Sequence, residues 1–386
     1  MQRRRFVEIL AALAATPYLR AENAPEKQIV VAGGGIIGAS IAYHLARRGA
    51  RVTLLEKLRP GAGATSNSFA WLNATYSKTP RNYFDLNLLG IAGWHRLQHE
   101  LPGALQIQWG GCMEWYPGGA DADLLRTEVR NHQQWGYEAH LISQPEFRHL
   151  LPNIVPGPFE AASFCAQEGT LDPVHAVRVL MQAGKQAGVR AIYPCEVSGL
   201  EISAGHIRAV ETTKGRFPAD VVVLACGLDS PFLARKAGME IPLRSTPGVL
   251  AHTAPMPRLL ERVALAPGAH LKQTPDGRVV TGMEFGGALS SNKSLAHGQE
   301  MLREASQYLP GLKNASLERV TLGWRVLPKD EFPIVGFDDR CPNLYLAAMH
   351  SGVTLAPIIG QFAATEILDG ASVKLLEPYR LSRFTV

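Results

Sequence analysis

The sequence predicts an α/β protein, α+β overall: one α/β domain of nucleotide-binding type assembled from three segments, with a second domain inserted in two pieces. Three observations predict it. A strand, a glycine-rich turn, a helix and a second strand open the globular part near Gln28. Strand-to-turn elements of the same kind recur in the middle, DVVVLACGLDS, and at the end, NLYLAAMHSGVTLAPIIGQFAATEILDG. The stretches between them have a different texture, with long helices and short strand-like pieces. The boundaries read as a leader and linker over 1–26, the dinucleotide domain over 27–80, 157–235 and 320–386, and the second domain over 81–156 and 236–319.

KQIVVAGGG is an apolar run ending in glycines, as in a buried parallel strand. IIGASIAYHLARRG follows with helical spacing and closes on Gly49, a suitable C′ residue. ARVTLLEK supplies the second strand. PRNYFDLNLLGIAGWHRLQHEL and ADADLLRTEVRNHQQWG read as helices, with ALQIQWGGCMEWYP strand-like between them. DPVHAVRVLMQAGKQAG is an amphipathic helix with Asp172 as N-cap and Pro173 in its first turn. Strand signals follow in VRAIYPCEVSGLEI, HIRAVETTKG and DVVVLACG, then in GVLAHT and DGRVVTGMEF. LAHGQEMLREASQYLP reads as a helix, and the chain closes as strand, tight turn and helix.

Composition narrows the function. Of 386 residues, 46% are apolar and 19% charged, which excludes a disordered or collagen-like chain. At roughly 100–200 residues per domain, this length makes about two domains. No run of about 18 uncharged apolar residues occurs, so no transmembrane segment is expected. Cys112, Cys165, Cys195, Cys226 and Cys341 show no CxxC spacing. No metal site is expected of them, and they read as small buried hydrophobes.

The leader, MQRRRFVEILAALAATPYLRA, sets Arg3 and Arg4 one residue ahead of Phe6 and Val7, before a short apolar stretch. It resembles a Tat export signal, which implies a periplasmic protein. The alternative is a basic, frayed start on a cytoplasmic protein. The first 21 residues hold four Arg and one Glu, so without them the net charge falls from +5 to +2. A nearly neutral mature chain suggests no nucleic-acid partner.

Gly33-Gly34-Gly35-Ile36-Ile37-Gly38 fits G-x-G-x-x-G between a predicted strand and helix. Gly33 permits the tight turn, Gly35 lets backbone approach a pyrophosphate, and Gly38 lets helix and strand pack closely. Glu56 ends the second strand 18 residues after Gly38, followed by Lys57. An acid at Glu56 can accept both ribose hydroxyls of an adenosine. This fingerprint serves FAD and NAD alike. The later loop LRPGAGATSNSFAW, rich in Gly, Ser and Thr, can wrap phosphate and ribitol oxygens.

At these residues the chain resembles FAD-dependent oxidoreductases of the D-amino-acid oxidase superfamily, the group of glycine oxidase, sarcosine oxidase and D-amino-acid dehydrogenase. The stretches that carry the likeness are VVAGGGIIGASIAYHLARRGARVTLLEK, GATSNS, EGTLDPVHAV, DVVVLACGLDS, DGRVVTGMEF, GWRVLPKDEFPIVG and MHSGVTLAPIIGQFAATEIL. The resemblance implies a Rossmann-like FAD-binding domain built from three segments and an inserted antiparallel-sheet domain that carries the substrate. It implies that Gly33, Gly35, Ile36, Ile37, Gly38, Glu56 and Lys57 hold the ADP part of FAD. Thr65, Ser66 and Asn67 would lie near the pyrophosphate and flavin, Val197 near the adenine, and Cys226 and Gly227 along the dinucleotide. Gly352, Val353, Thr354 and Leu355 would face the flavin pyrimidine edge. Arg325 falls where several relatives place a carboxylate-binding arginine.

Two departures stand out. Relatives carry a second basic residue in the turn before the last helix, whereas Met349-His350-Ser351-Gly352 has no arginine. Cys341 lies outside the motif that anchors flavin covalently, and the GATSNS loop lacks the histidine used for attachment elsewhere, so FAD is expected to be non-covalent.

The implied reaction oxidises a CH–NH bond of an amino acid or secondary amine. A hydride equivalent passes to flavin N5, and the imine product hydrolyses. The last helix can aim its N-terminus at the edge of the ring where charge develops. Arg325 suits a substrate carboxylate. His350 is a candidate to orient substrate or relay a proton near neutrality. His252 and Asn73 are further substrate candidates, and Trp71, Trp324 and Met349 candidate cavity walls. Oxygen, a quinone or a carrier protein remains open as electron acceptor. Two other readings stand beside this one. The first is an FAD-dependent 2-hydroxy-acid dehydrogenase or a tailoring oxidase of a larger metabolite. The second is a non-catalytic flavin-binding periplasmic factor.

Overall fold

A computed structural model describes residues 27–76, 78–283 and 291–384. The leader read as an export signal lies outside the described residues, as do Glu284 and Phe285 of DGRVVTGMEF.

A six-stranded sheet forms one half of the molecule. Its order is Ile334–Asp338, Cys341–Ala348, Val221–Leu224, Gln28–Ala32, Arg51–Leu55 and Arg190–Ile192. All neighbours are parallel except the edge strand Ile334–Asp338, which folds back on Cys341–Ala348 as a hairpin. The central strands read VVVL, QIVVA and RVTLL because helices cover one face and a second apolar cluster fills the other. A three-stranded antiparallel ribbon, Val197–Ser203, His206–Thr212 and Gly215–Pro218, packs beside it. The VRAIYPCEVSGLEI segment is therefore two strands. It breaks at Pro194, which has no N–H to give, and Cys195 N–H bonds Glu56 O beyond the end of Arg51–Leu55.

The fingerprint helix Ile36–Arg47 lies against the terminal helix Gly352–Asp369. Contact is close because Gly360 has no side chain: a Cβ there would sit 2.4 Å from Ser40 Oγ. Ser40 Oγ donates to Ala356 O at 2.6 Å across the same gap. A third helix, Arg81–Glu100, crosses the terminal helix near its start. Pro357 sits inside the terminal helix and cannot donate to Val353 O one turn back. The Trp94 indole N–H donates to that carbonyl instead, at 2.8 Å. The first turn of the terminal helix is thus held by a side chain from a distant helix.

The second half is an eight-stranded sheet ordered Leu317–Trp324, Pro247–Thr253, Val279–Gly282, Ala269–Gln273, Val263–Ala266, Cys112–Tyr116, Ala161–Cys165 and Ala139–Leu141. Its pairs are antiparallel apart from one seam, where Val263–Ala266 runs parallel to Cys112–Tyr116 and joins the two inserted pieces. The helix Leu295–Tyr308 contributes Ala305 to a core with Trp115, Phe147, Leu271 and Val279. Of ALQIQWGGCMEWYP, Cys112–Tyr116 enters the sheet. Ala161–Cys165 and Leu317–Trp324 also pair here, so the sheets change over a few residues later than boundaries at 157 and 320 would have it.

Candidate active site

One cleft of about 970 Å³ runs from the fingerprint turn to the terminal helix. At its first end, Gly33 has φ of +107°, and a Cβ there would lie 2.3 Å from Ala225 O. Glycine alone lets the turn press this closely on the neighbouring strand. Glu56 is 8% exposed. Its Oε2 accepts from Gly34 N–H at 2.8 Å and its Oε1 from Leu58 N–H at 2.7 Å. The carboxylate therefore braces the turn while lining the cleft. Thr65 Oγ1 accepts from Ile36 N–H at 3.2 Å, tying the 61–68 loop to the helix start.

Gly35, Ile36, Ile37, Lys57, Thr65, Asn67, Val197, Cys226 and Gly227 all line this cleft. Lys57 has a partner in the protein itself: Nζ meets Asp229 Oδ2 at 2.6 Å, and this bond raises its pKa. Three expected residues stand behind the wall. Gly38 packs under Gly33 O, Ser66 Oγ turns back to Gly63 O at 3.3 Å, and Leu355 is fully buried in the helix core.

At the other end, Arg325 follows Leu317–Trp324 and lines the cleft. Its guanidinium lies over Gly248: Cζ and both terminal nitrogens are 3.2 Å from where a Cβ would be. Nη1 donates to Pro247 O, and burial lowers the guanidinium pKa.

The terminal helix starts after Ser351, whose φ is +56°, a left-handed conformation uncommon outside glycine. Two donors fix it there. Lys78 Nζ reaches Ser351 Oγ at 2.8 Å and Tyr83 OH reaches it at 3.1 Å. Ser351 Oγ also lies 3.4 Å from Nδ1 of His350, which is held neutral. Burial, then the charges of Lys78 and Arg325, pull its pKa down to about 3. The expectation that it titrates near neutrality is corrected: two cations beside a desolvated ring keep it uncharged.

Gly352, Val353 and Thr354 precede the first intrahelical bond, Leu355 N–H to Ser351 O at 3.0 Å. Their N–H groups form the positive end of the helix at the cleft. Thr354 Oγ1 donates to Trp71 O at 3.2 Å and accepts from Asn73 N–H at 3.3 Å. Trp71, Asn73, Trp324 and Met349 line the cleft. His252 does not. Its strand face is shared with Gly248 and Leu250, but the cleft ends at Leu250, and His252 Nε2 lies 3.1 Å from Thr321 Oγ1.

Sequence reasoning missed Lys78, Tyr83 and Glu168. Glu168 is fully buried, and its Oε1 accepts from Ala74 N–H, Thr75 N–H and Thr75 Oγ1 at 2.8, 2.9 and 2.8 Å. It pins the loop that carries Asn73 and Lys78. Burial lifts its pKa to about 7. EGTLDPVHAV contained it, but only the strand pairing shows what it holds.

The cleft suits FAD by two independent features. The glycine turn, Glu56 and a helix end supply the groups an ADP moiety needs. At the opposite end Asn73 Oδ1 is buried with no hydrogen-bond partner among the described residues, and its residue lines the cleft. A buried amide oxygen in that position calls for a donor from a ligand.

A family model described as FAD dependent oxidoreductase (DAO) matches residues 28–366. The chain belongs to that family and is an FAD-dependent oxidoreductase. It is 26% identical over 364 residues to glycine oxidase from Bacillus licheniformis, spanning 92% of this chain and 96% of that protein. Among solved structures, L-proline dehydrogenase from P. horikoshii superposes with a TM-score of 0.85 at 24% identity, covering 93% of this chain and 98% of that one. Glycine oxidase from Geobacillus kaustophilus also gives 0.85, at 22% identity, over 93% and 100% of the two chains. These two structures share the fold.

Proposed function

We propose that the protein oxidises the CH–NH bond of an amino acid or secondary amine and releases an imine that hydrolyses. The observation that carries this reading is the convergence of Arg325, neutral His350 and the amino end of the terminal helix on the cleft that begins at the fingerprint. Non-covalent FAD, when bound, supplies the hydride acceptor.

The residues of this chain do the rest. Arg325 presents a planar cation to a substrate carboxylate, which orients the Cα–H bond. His350 stays uncharged and does not repel a cationic amine that enters the cleft. The helix end opposes charge accumulating at the cofactor edge. Glu56 accepts from ribose hydroxyls with lone pairs that Gly34 and Leu58 leave over. Trp71, Trp324 and Met349 line the cleft and narrow the space left for the reacting bond.

The test is anaerobic mixing of the FAD-loaded protein with amino acids, N-methyl amino acids and 2-hydroxy acids, following flavin absorbance. Bleaching by amino compounds supports the reading. Bleaching by hydroxy acids alone replaces it with a 2-hydroxy-acid dehydrogenase. Arg325→Met should raise KM for a carboxylate substrate by roughly 10–100-fold. Among the described residues no helix is long and apolar enough to cross a membrane. We read the twin-arginine leader as an export signal for the folded, cofactor-loaded chain. Fractionation of cells carrying Arg3→Lys/Arg4→Lys would leave the protein inside if this is right.

A further inference from the structure

We infer that Lys272 is a positioning residue for the cleft: from behind the wall formed by Phe69, Ala70 and Trp71, its ammonium holds that wall in shape. The inference rests on reading the cleft as an FAD and amine site. It deepens that reading by naming a residue that acts on the site without lining it.

Phe69, Ala70 and Trp71 line the cleft, and Lys272 does not. Lys272 lies on the strand Ala269–Gln273, opposite Val280, and is 3% exposed. Its Nζ donates to Thr170 Oγ1 at 2.9 Å and to Leu171 O at 3.2 Å. It also lies over the face of Phe69, 5.4 Å from the ring centroid. Thr170 Oγ1 donates in turn to Ala70 O at 2.9 Å, and Leu171 N–H donates to the same carbonyl at 3.3 Å. Trp71 pairs with Thr170 in a short two-stranded ribbon. All the contacts of this ammonium therefore lead to the same stretch of cleft wall.

That wall needs holding. Ala70 has φ of +56°, a left-handed conformation that a residue with a Cβ rarely adopts. Such a conformation persists only where its surroundings enforce it. Ser68 Oγ accepts from Ala70 N–H at 3.0 Å, and the chain through Thr170 to Lys272 holds the carbonyl of the same residue. A cation is a costly way to do this. Among the described residues none of its partners is an acid, and burial pulls its pKa down to about 7. A methionine would fill the same space without burying a charge, which weighs against a role in stability alone. The titratable groups around the ammonium are few. His252 and His270 are kept neutral by burial, and burial raises the Cys112 thiol in the same apolar cluster as Phe69. Asp172, exposed at the start of its helix, carries the charge that favours the ammonium. Glu168, two residues before Thr170, is lifted to about 7. Below pH 7 the charged ammonium attracts the Phe69 ring, and above it the neutral amine loses that attraction.

The test compares FAD-loaded wild type with Lys272→Met. The readouts are melting temperature, the visible circular dichroism of the bound flavin, and KM and kcat for the amino compound that bleaches the flavin fastest. At pH 6 the variant should melt at or above the wild type, because the buried charge is gone. That margin should shrink as pH rises from 7 to 10.5, where the folded wild type has shed a proton that the unfolded chain keeps. At pH 6 the variant should show altered flavin dichroism and a KM raised roughly tenfold, with kcat within about threefold. At pH 9 the two KM values should agree within about threefold, because the wild type has lost its ammonium. A variant that melts below the wild type at pH 6 assigns the lysine to stability and overturns the inference, whatever KM does. An unchanged KM, or a KM ratio independent of pH, overturns it too. If no amino compound bleaches the wild type, the functional reading falls by itself. Melting and dichroism then decide on Lys272, and unchanged dichroism overturns its role.

Discussion

The two ends of the cleft are built by different means. The fingerprint end is mainly backbone: a glycine turn pressed on Ala225, a helix start, and one acid, Glu56, bonded to main-chain N–H groups. The reactive end is mainly side chains from distant parts of the chain, with Lys78 and Ser351 separated by 273 positions. The first tolerates no added atoms. The second tolerates change of shape better than change of charge.

The largest expected effect is at the rigid end. Gly33→Ala adds a Cβ onto Ala225 O at a positive φ, which costs roughly 2–5 kcal/mol in strain and overpacking. Denaturant unfolding and FAD content should both fall. A variant that melts like the wild type and stays yellow would break the contrast between the ends.

Charge should dominate at the other end, and pH reads it. Burial lifts Glu168 from 4.5 to about 7, so the folded chain keeps a proton that the unfolded chain releases. Its contribution to stability is full below about pH 4.5 and is lost as pH rises through 7. Burial also pulls His252 and His270 to about 4 and His350 to about 3, from 6.5. Their contribution is present above 6.5 and is lost as pH falls through 4. Glu168→Gln keeps an acceptor for Ala74 and Thr75 but removes one titration. Measured against wild type, its stability should improve between pH 5 and pH 8, by roughly 3 kcal/mol at most. A difference independent of pH would show that Glu168 is not held protonated.

The join between the two ends is Trp94. Trp94→Phe strands Val353 O beside Pro357 and should cost about 1–3 kcal/mol. Pro357→Ala restores a backbone donor, so the double variant should lose about 1 kcal/mol less than the sum of the singles. Strict additivity would mean that the indole bond does not substitute for the missing one. The smallest effect is Glu56→Gln, which keeps one oxygen acceptor and should weaken FAD about tenfold by titration of the apoprotein.

This contrast also explains what the sequence made legible. Gly33, Gly38 and Glu56 obey local backbone rules, so a short window contains the whole argument. Cys195, Cys165, Cys112 and Cys341 are buried thiols, as sparse cysteines in this composition should be. Arg325 and His350 were placed through resemblance, and both line the cleft. The neutrality of His350 is not legible locally, because it depends first on burial of the ring and then on Lys78 and Arg325 arriving from other segments. His252 shows the limit of strand periodicity: alternation gives the face of a strand but not where along it a cleft stops. Lys78 in YSKTPRNY looks like any loop lysine, and nothing local announces that it is buried.

The account centres on one ligand spanning both ends, and a crystal structure with FAD bound tests that most directly. The adenosine ribose should meet the Glu56 carboxylate, and the flavin ring should lie beside Ser351–Thr354 with Arg325 facing the space above it. A ring directed away from the terminal helix, or a ribose that Glu56 does not touch, would contradict it.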